Sequence, residues 1–121
     1  MYQKREIYRS IAELAYAVAK SQNGLQTTER DAFIKIIEKE LNFDAWVAKS
    51  RFDILDSKIA PTIDEAYNAA IFELKKYKDY FNEEDKHKAV KVLRKVAESY
   101  RGVSHTQEAL IEKFEKQIFS L

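Results

Sequence analysis

Cysteine is absent from the chain, which excludes a disulfide frame, a thiolate metal site and a cysteine nucleophile together. Glycine and proline are nearly absent: Gly24, Gly102 and Pro61 are the only ones in 121 residues. So few turn-formers leave little material for a succession of hairpins or barrel corners, and favour long helices joined by tight bends. An excess of one charge is missing too. With 21 basic residues against 20 acidic ones the net charge is +1, so no long-range field recruits phosphate backbones or anionic lipid. The opening stretch MYQKREIYRSIAELAYAVAK breaks its apolar residues with Lys4, Arg5, Glu6, Arg9 and Glu13. It cannot supply the uninterrupted run of a signal peptide or a membrane span. The expectation is a cytoplasmic protein with no membrane insertion.

What the chain does contain is a repeat. VAKSQNGLQTTERDAFIKIIEK, from Val18 to Lys39, returns as VAESYRGVSHTQEALIEKFEKQ, from Val96 to Gln117, with Gly24 and Gly102 at matching points. Each copy leads from an amphipathic segment into the glycine, then an apolar residue (Leu25, Val103), then hydroxyl-bearing residues and a second amphipathic segment. Glycine at such a joint can take the positive φ of a helix C-terminus, and the apolar residue after it can fold back on the helix it ends. Gly24 and Gly102 are therefore read as structural turns of two helical hairpins related by an approximate twofold.

Periodicity predicts six helices in one domain over residues 1–121. Ile7, Ile11, Leu14, Ala15 and Val18, widened by Tyr8, Ala12 and Ala19, predict a largely buried first helix over about residues 3–22. The second begins near Thr27 or Thr28, with Ala32, Phe33, Ile36 and Ile37 inward. Asp44 caps a third with inner stripe Ala45, Ala48, Phe52, Leu55 and Ile59, and Trp46 lies off that stripe. Thr62 to Glu65 has the spacing of a capping box and opens a helix with Ile63, Ala66, Tyr67, Ala70, Ile71, Leu74 and Tyr77 inward. Asn82 opens the fifth, with Ala89, Val92, Leu93, Val96, Ala97 and Tyr100 inward. Ser104 and Gln107 have capping-box spacing ahead of the last helix, which buries Leu110, Ile111, Phe114 and Ile118. No stretch alternates as a strand does.

In the first copy Ala17, Val18, Ala19, Asn23, Gly24 and Glu29, and in the second Val96, Ala97, Gly102 and Glu108, carry a likeness across most of the chain. In these residues the sequence resembles the TerB-like family, which includes tellurite-resistance proteins and the N-terminal region of a membrane-anchored DnaJ-type co-chaperone. The resemblance implies an all-α bundle and a small cytoplasmic, stress-associated or scaffold-like module with partners rather than substrates. The chain departs from the family at the turns. Asn23 and Arg101 stand where the family has aspartates suspected of holding a metal, and a guanidinium there argues against a dication. No His-Pro-Asp tripeptide carries over a co-chaperone activity.

Candidate sites follow from what the helical stripes leave over. Trp46, Tyr77, Tyr80 and Phe81 are more aromatic surface than one stripe hides. Rings at helix ends commonly fill the edge of a bundle's core, which is the simpler account; the alternative is a partner or homodimer patch, since aromatics beside basic residues anchor interfaces. Lys88, Lys91 and Lys95, with Arg94 alongside, form a basic helical face for an acidic partner. Glu84 and Glu98 stand four residues from Lys88 and Arg94, so pairing on a solvated face is the simpler account of that face. Nucleic acid is argued down by Glu29, Asp31, Glu38 and Glu40 on one repeated helix and Glu108, Glu112 and Glu115 on the other. His87 and His105 are the only imidazoles and fall in no metal-binding spacing. No catalytic residue, cofactor or metal ligand is assigned. The expected function is a non-enzymatic interaction or scaffold module, with a protein partner or a second copy of the chain. The alternatives are a module responsive to divalent cations and a small-ligand-binding bundle.

Overall fold

The computed structural model describes residues 2–20, 34–36, 38–40, 45–55, 62–98 and 105–121. Among them every regular element is helical and none is a strand. Five α-helices are delimited: α1 (Tyr2–Lys20), α2 (Ala45–Ile54), α3 (Ile63–Lys76), α4 (Glu83–Glu98) and α5 (His105–Phe119), with a 3-10 turn over Lys78–Tyr80 between α3 and α4. Residues 34–36 and 38–40 are helical as well, within the expected second helix. The limits of that helix, both glycine turns and the twofold relation of the two hairpins lie outside the described residues.

The bundle is built around α1. From Ser10 to Ala19 every residue is buried, so this stretch of the helix is covered on all sides, and α1 packs against each of α2, α3, α4 and α5. Alanines at positions 12, 15, 17 and 19 suit this place, since they favour helix and let neighbours come close. The expected stripe of Ile7, Ile11, Leu14 and Val18 is buried, and so, from Ser10 onward, is the opposite side of the helix, whereas Arg5 and Arg9 nearer its start are exposed. Two polar residues are enclosed with it. Ser10 turns its hydroxyl back to donate to the Glu6 carbonyl at 2.9 Å, the usual recourse of a serine inside a helix. Glu13 faces Arg51.

The surrounding helices start where their caps dictate. Thr62 accepts from the Glu65 amide at 3.1 Å while Glu65 accepts from the Thr62 amide at 2.9 Å, the expected capping box. Asp64 and Glu65 in the first turn of α3 and Lys75 and Lys76 in the last complement its dipole. Asn82 opens α4 by accepting from the Asp85 amide at 2.8 Å. The inward residues are those the period marks: Ala66, Tyr67, Ala70, Ile71 and Leu74 on α3, Ala89, Val92, Leu93, Val96 and Ala97 on α4, Ile111, Phe114 and Ile118 on α5, joined with α1 in one core. On α2 the pattern holds less well, because Val47, off the expected stripe, is buried.

Polar ties between helices complete the frame. Lys4 pairs with the buried Asp85, joining α1 to α4. Tyr67 donates its hydroxyl to Gln117, joining α3 to α5, and burial pushes the Tyr67 phenol up to about 12. Gln107, expected to serve a cap with Ser104, is fully buried and donates from Nε2 to the Val18 carbonyl at 3.0 Å near the end of α1. Ser104 lies outside the described residues.

Candidate partner-binding site

The structure divides the expected partner surface. Phe81 does not belong to it: it is 2% exposed and packs into the core. The reason is the 3-10 turn, in which the Tyr80 amide donates to Tyr77 and the Phe81 amide to Lys78. This turns the chain and sends consecutive aromatics to opposite sides, so that Tyr80 is 44% exposed. Tyr77 is half-buried and meets the Tyr2 ring edge-on at 6.0 Å.

The lysine face is largely neutralised from within. Lys91 and Lys95 reach the two oxygens of Glu40 at 3.2 and 2.8 Å, a partner from a different helical segment. The hydrogen bond from Lys95 holds the Glu40 carboxyl below the ordinary glutamate range, and Lys91 adds to it. Lys88 pairs along its own helix with Glu84 at 3.5 Å. Arg94 takes Glu108 of α5 through two bonds of 3.0 and 3.1 Å, although Glu98 on its own helix has the i,i+4 spacing. A bidentate geometry of this kind is the stronger one for a guanidinium. His87 rests against the Phe119 ring at 4.9 Å. Among the described residues no group of three or more His, Cys, Asp or Glu is arranged to hold a metal ion.

The feature that sequence reading missed is a groove between α1, α2 and α3. Helical spacing supplies most of its walls: Glu6, Arg9 and Glu13 on α1 and Trp46, Ser50 and Ile54 on α2 recur every three or four residues and so share a face, and on α3 Ala69 is followed three and four residues on by the adjacent Phe72 and Glu73. Two adjoining clefts make up the groove. One, of about 160 Å³, is lined by Arg9, Trp46, Val47, Ser50, Arg51 and Ile54. The other, of about 330 Å³, is lined by Glu6, Arg9, Glu13, Arg51, Ala69, Phe72 and Glu73. Arg9 and Arg51 line both. Large apolar side chains stand on the rim: Phe72 is 66% exposed, Trp46 58%, and Ile54 is exposed too.

Charge in the groove is ordered. Arg9 binds Glu6 at 3.1 Å and Arg51 faces Glu13 at 3.5 Å, while the Arg51 Nε is buried without a hydrogen bond. Arg5 lies over the Trp46 ring at 5.6 Å. Burial pushes the Glu13 carboxyl above its ordinary range; Arg51 pulls it back, and the negative charges of Glu73 and Glu6 add to the push. The half-buried Glu73 carboxylate has no hydrogen-bond or ion-pair partner among the described residues. Ionisable groups perturbed in this way inside a cleft are a recognised mark of a binding site. Two signals of the groove are present in the sequence. Phe72 and Ile54 are large apolar residues off their helices' inner stripes, and Glu13 is a lone carboxylate within an apolar run.

Comparison of the chain with protein-family models, with curated proteins and with solved structures returns no match.

Proposed function

We propose that this protein is a non-enzymatic interaction module that grips a protein partner in the groove between α1, α2 and α3. The observation that carries the proposal is the conjunction of exposed Trp46 and Phe72 on the rim with Arg9 and Arg51, which line both clefts. Tryptophan, phenylalanine and arginine are the residues that interfaces concentrate, and they supply most hot spots as anchors that exclude water around a polar contact. The lysine face of α4 is a weaker candidate, because Glu40 and Glu84 already occupy its charges.

The test is a photoreactive amino acid placed at position 46 of the full chain, with the same group at the exposed position 112 of α5 as control. The proposal expects a discrete crosslinked species from position 46 alone. Crosslinking that is absent, or equal at both positions, refutes it. The likeness of the repeated hairpins to TerB-like domains extends the proposal to a stress-associated setting. A deletion strain that grows as well as its parent on tellurite removes that extension and leaves the groove untouched.

A further inference from the structure

We infer that the groove is polarised, and takes a protein segment that presents a carboxylate to the Trp46 end and an ammonium or guanidinium group to the Phe72 end. The inference rests on the reading of the groove as a partner site and adds the chemistry of the partner. Its basis is the placing of charges along the groove. Arg9 and Arg51 stand between the two clefts, each with one side given to an acid of the Phe72 end, Glu6 and Glu13. A guanidinium carries five donors in a fixed fork. Arg9 uses one nitrogen on Glu6, which leaves the remaining donors for an acceptor in the Trp46 cleft, and among the described residues no carboxylate lines that cleft. Arg5 above the indole ring adds a third cation at this end. A planar carboxylate meeting such forks forms the strong bidentate kind of bond.

The other end has the opposite surplus. Glu6 and Glu13 are matched by the two arginines, and Glu73 is left over, half-buried beside the exposed ring of Phe72. A carboxylate next to an open aromatic face is suited to a cation, which the ring attracts through its quadrupole and the acid through its charge. A cation seated there also relieves the repulsion between Glu73 and Glu13, one of the forces that raise the Glu13 carboxyl. Trp46, Ile54 and Phe72 then flank the two charges and keep water from them, which is what gives a polar contact its strength at an interface.

The experiment is a selection of short random peptides displayed on phage against the immobilised full-length chain. The selected peptides are then titrated against the chain and against Glu73→Lys, Arg9→Glu, Trp46→Ser and Phe72→Ser, each checked for native circular dichroism. The expected result is enrichment of peptides with an acid and a base on either side of an apolar centre. Their affinity should fall roughly three- to tenfold on either charge reversal, with recovery when the facing peptide residue is reversed as well. Peptides that need Trp46 and Phe72 but carry no such charges, or ignore both reversals, overturn the polarity and leave the groove as a partner site. Peptides that bind equally to the Trp46→Ser and Phe72→Ser chains, or a selection that enriches nothing, overturn both.

Discussion

Ala17→Leu separates an α1 that is covered on every side from one that buries a single stripe. Ala17 stands four residues after Glu13 and seven after Ser10, on the flank toward Glu13, roughly a quarter turn from the middle of the stripe of Ile7, Ile11, Leu14 and Val18. On a one-stripe helix that flank meets solvent, and alanine to leucine there stays within about 0.5 kcal/mol. In the structure Ala17 is 0% exposed, and the added side chain must displace neighbours. Overpacking a filled core costs about 1–3 kcal/mol, or a fall in melting temperature of roughly 4–12 °C for a domain of this size. The assay is thermal and urea unfolding followed by circular dichroism, with Ala109→Leu as comparator because Ala109 is exposed on α5. The chemical change is then the same and only burial differs. Equal midpoints for the two variants would refute the encirclement of α1, whatever their absolute values.

Phe81→Ala should cost about 3–5 kcal/mol, as for other large buried side chains, while Tyr80→Ala costs under about 1 kcal/mol; urea midpoints check the pair, and similar losses would undo the assignment of opposite sides. Removing the cap of α3 by Thr62→Ala should cost about 1 kcal/mol and Thr62→Asn much less, since asparagine still accepts from the first turn. Carboxyl-detected NMR should find Glu13 titrating above the ordinary glutamate value, and Glu40 and Glu108 below it. The signs for stability follow by linkage. The contribution of Glu40 is present above the ordinary glutamate value and is lost as pH falls through its depressed folded value, so Glu40→Gln should flatten the acid limb of the stability curve. Glu13 acts the other way: its contribution is complete below the ordinary value and is lost as pH rises through its raised folded value.

The pairing of Arg94 shows where reading along the chain stops being enough. Glu98 lies four residues away on the same helix, an arrangement open to inspection in the sequence, yet the guanidinium is held by Glu108 from α5. Glu40 likewise takes Lys91 and Lys95 from a distant segment, which no local spacing announces. Phe81 fell on the wrong side for a related reason. Between Tyr77 and Asn82 the chain passes through a 3-10 turn, tighter than the 3.6-residue period, and that turn decides which ring faces inward.

Helix type, the capping box at Thr62, the start of α4 at Asn82 and most inward residues of α3, α4 and α5 were legible from the amino acids alone. Each depends on groups within a few positions of one another along the chain, so periodicity and side-chain chemistry suffice to specify it. The enclosure of both faces of α1, the burial of Phe81 and Gln107, and the groove that joins Glu13, Arg51 and Glu73 were decided only when the helices came together. Burial and charge pairing across elements are properties of the space between helices, and that space is set by how all of them pack at once.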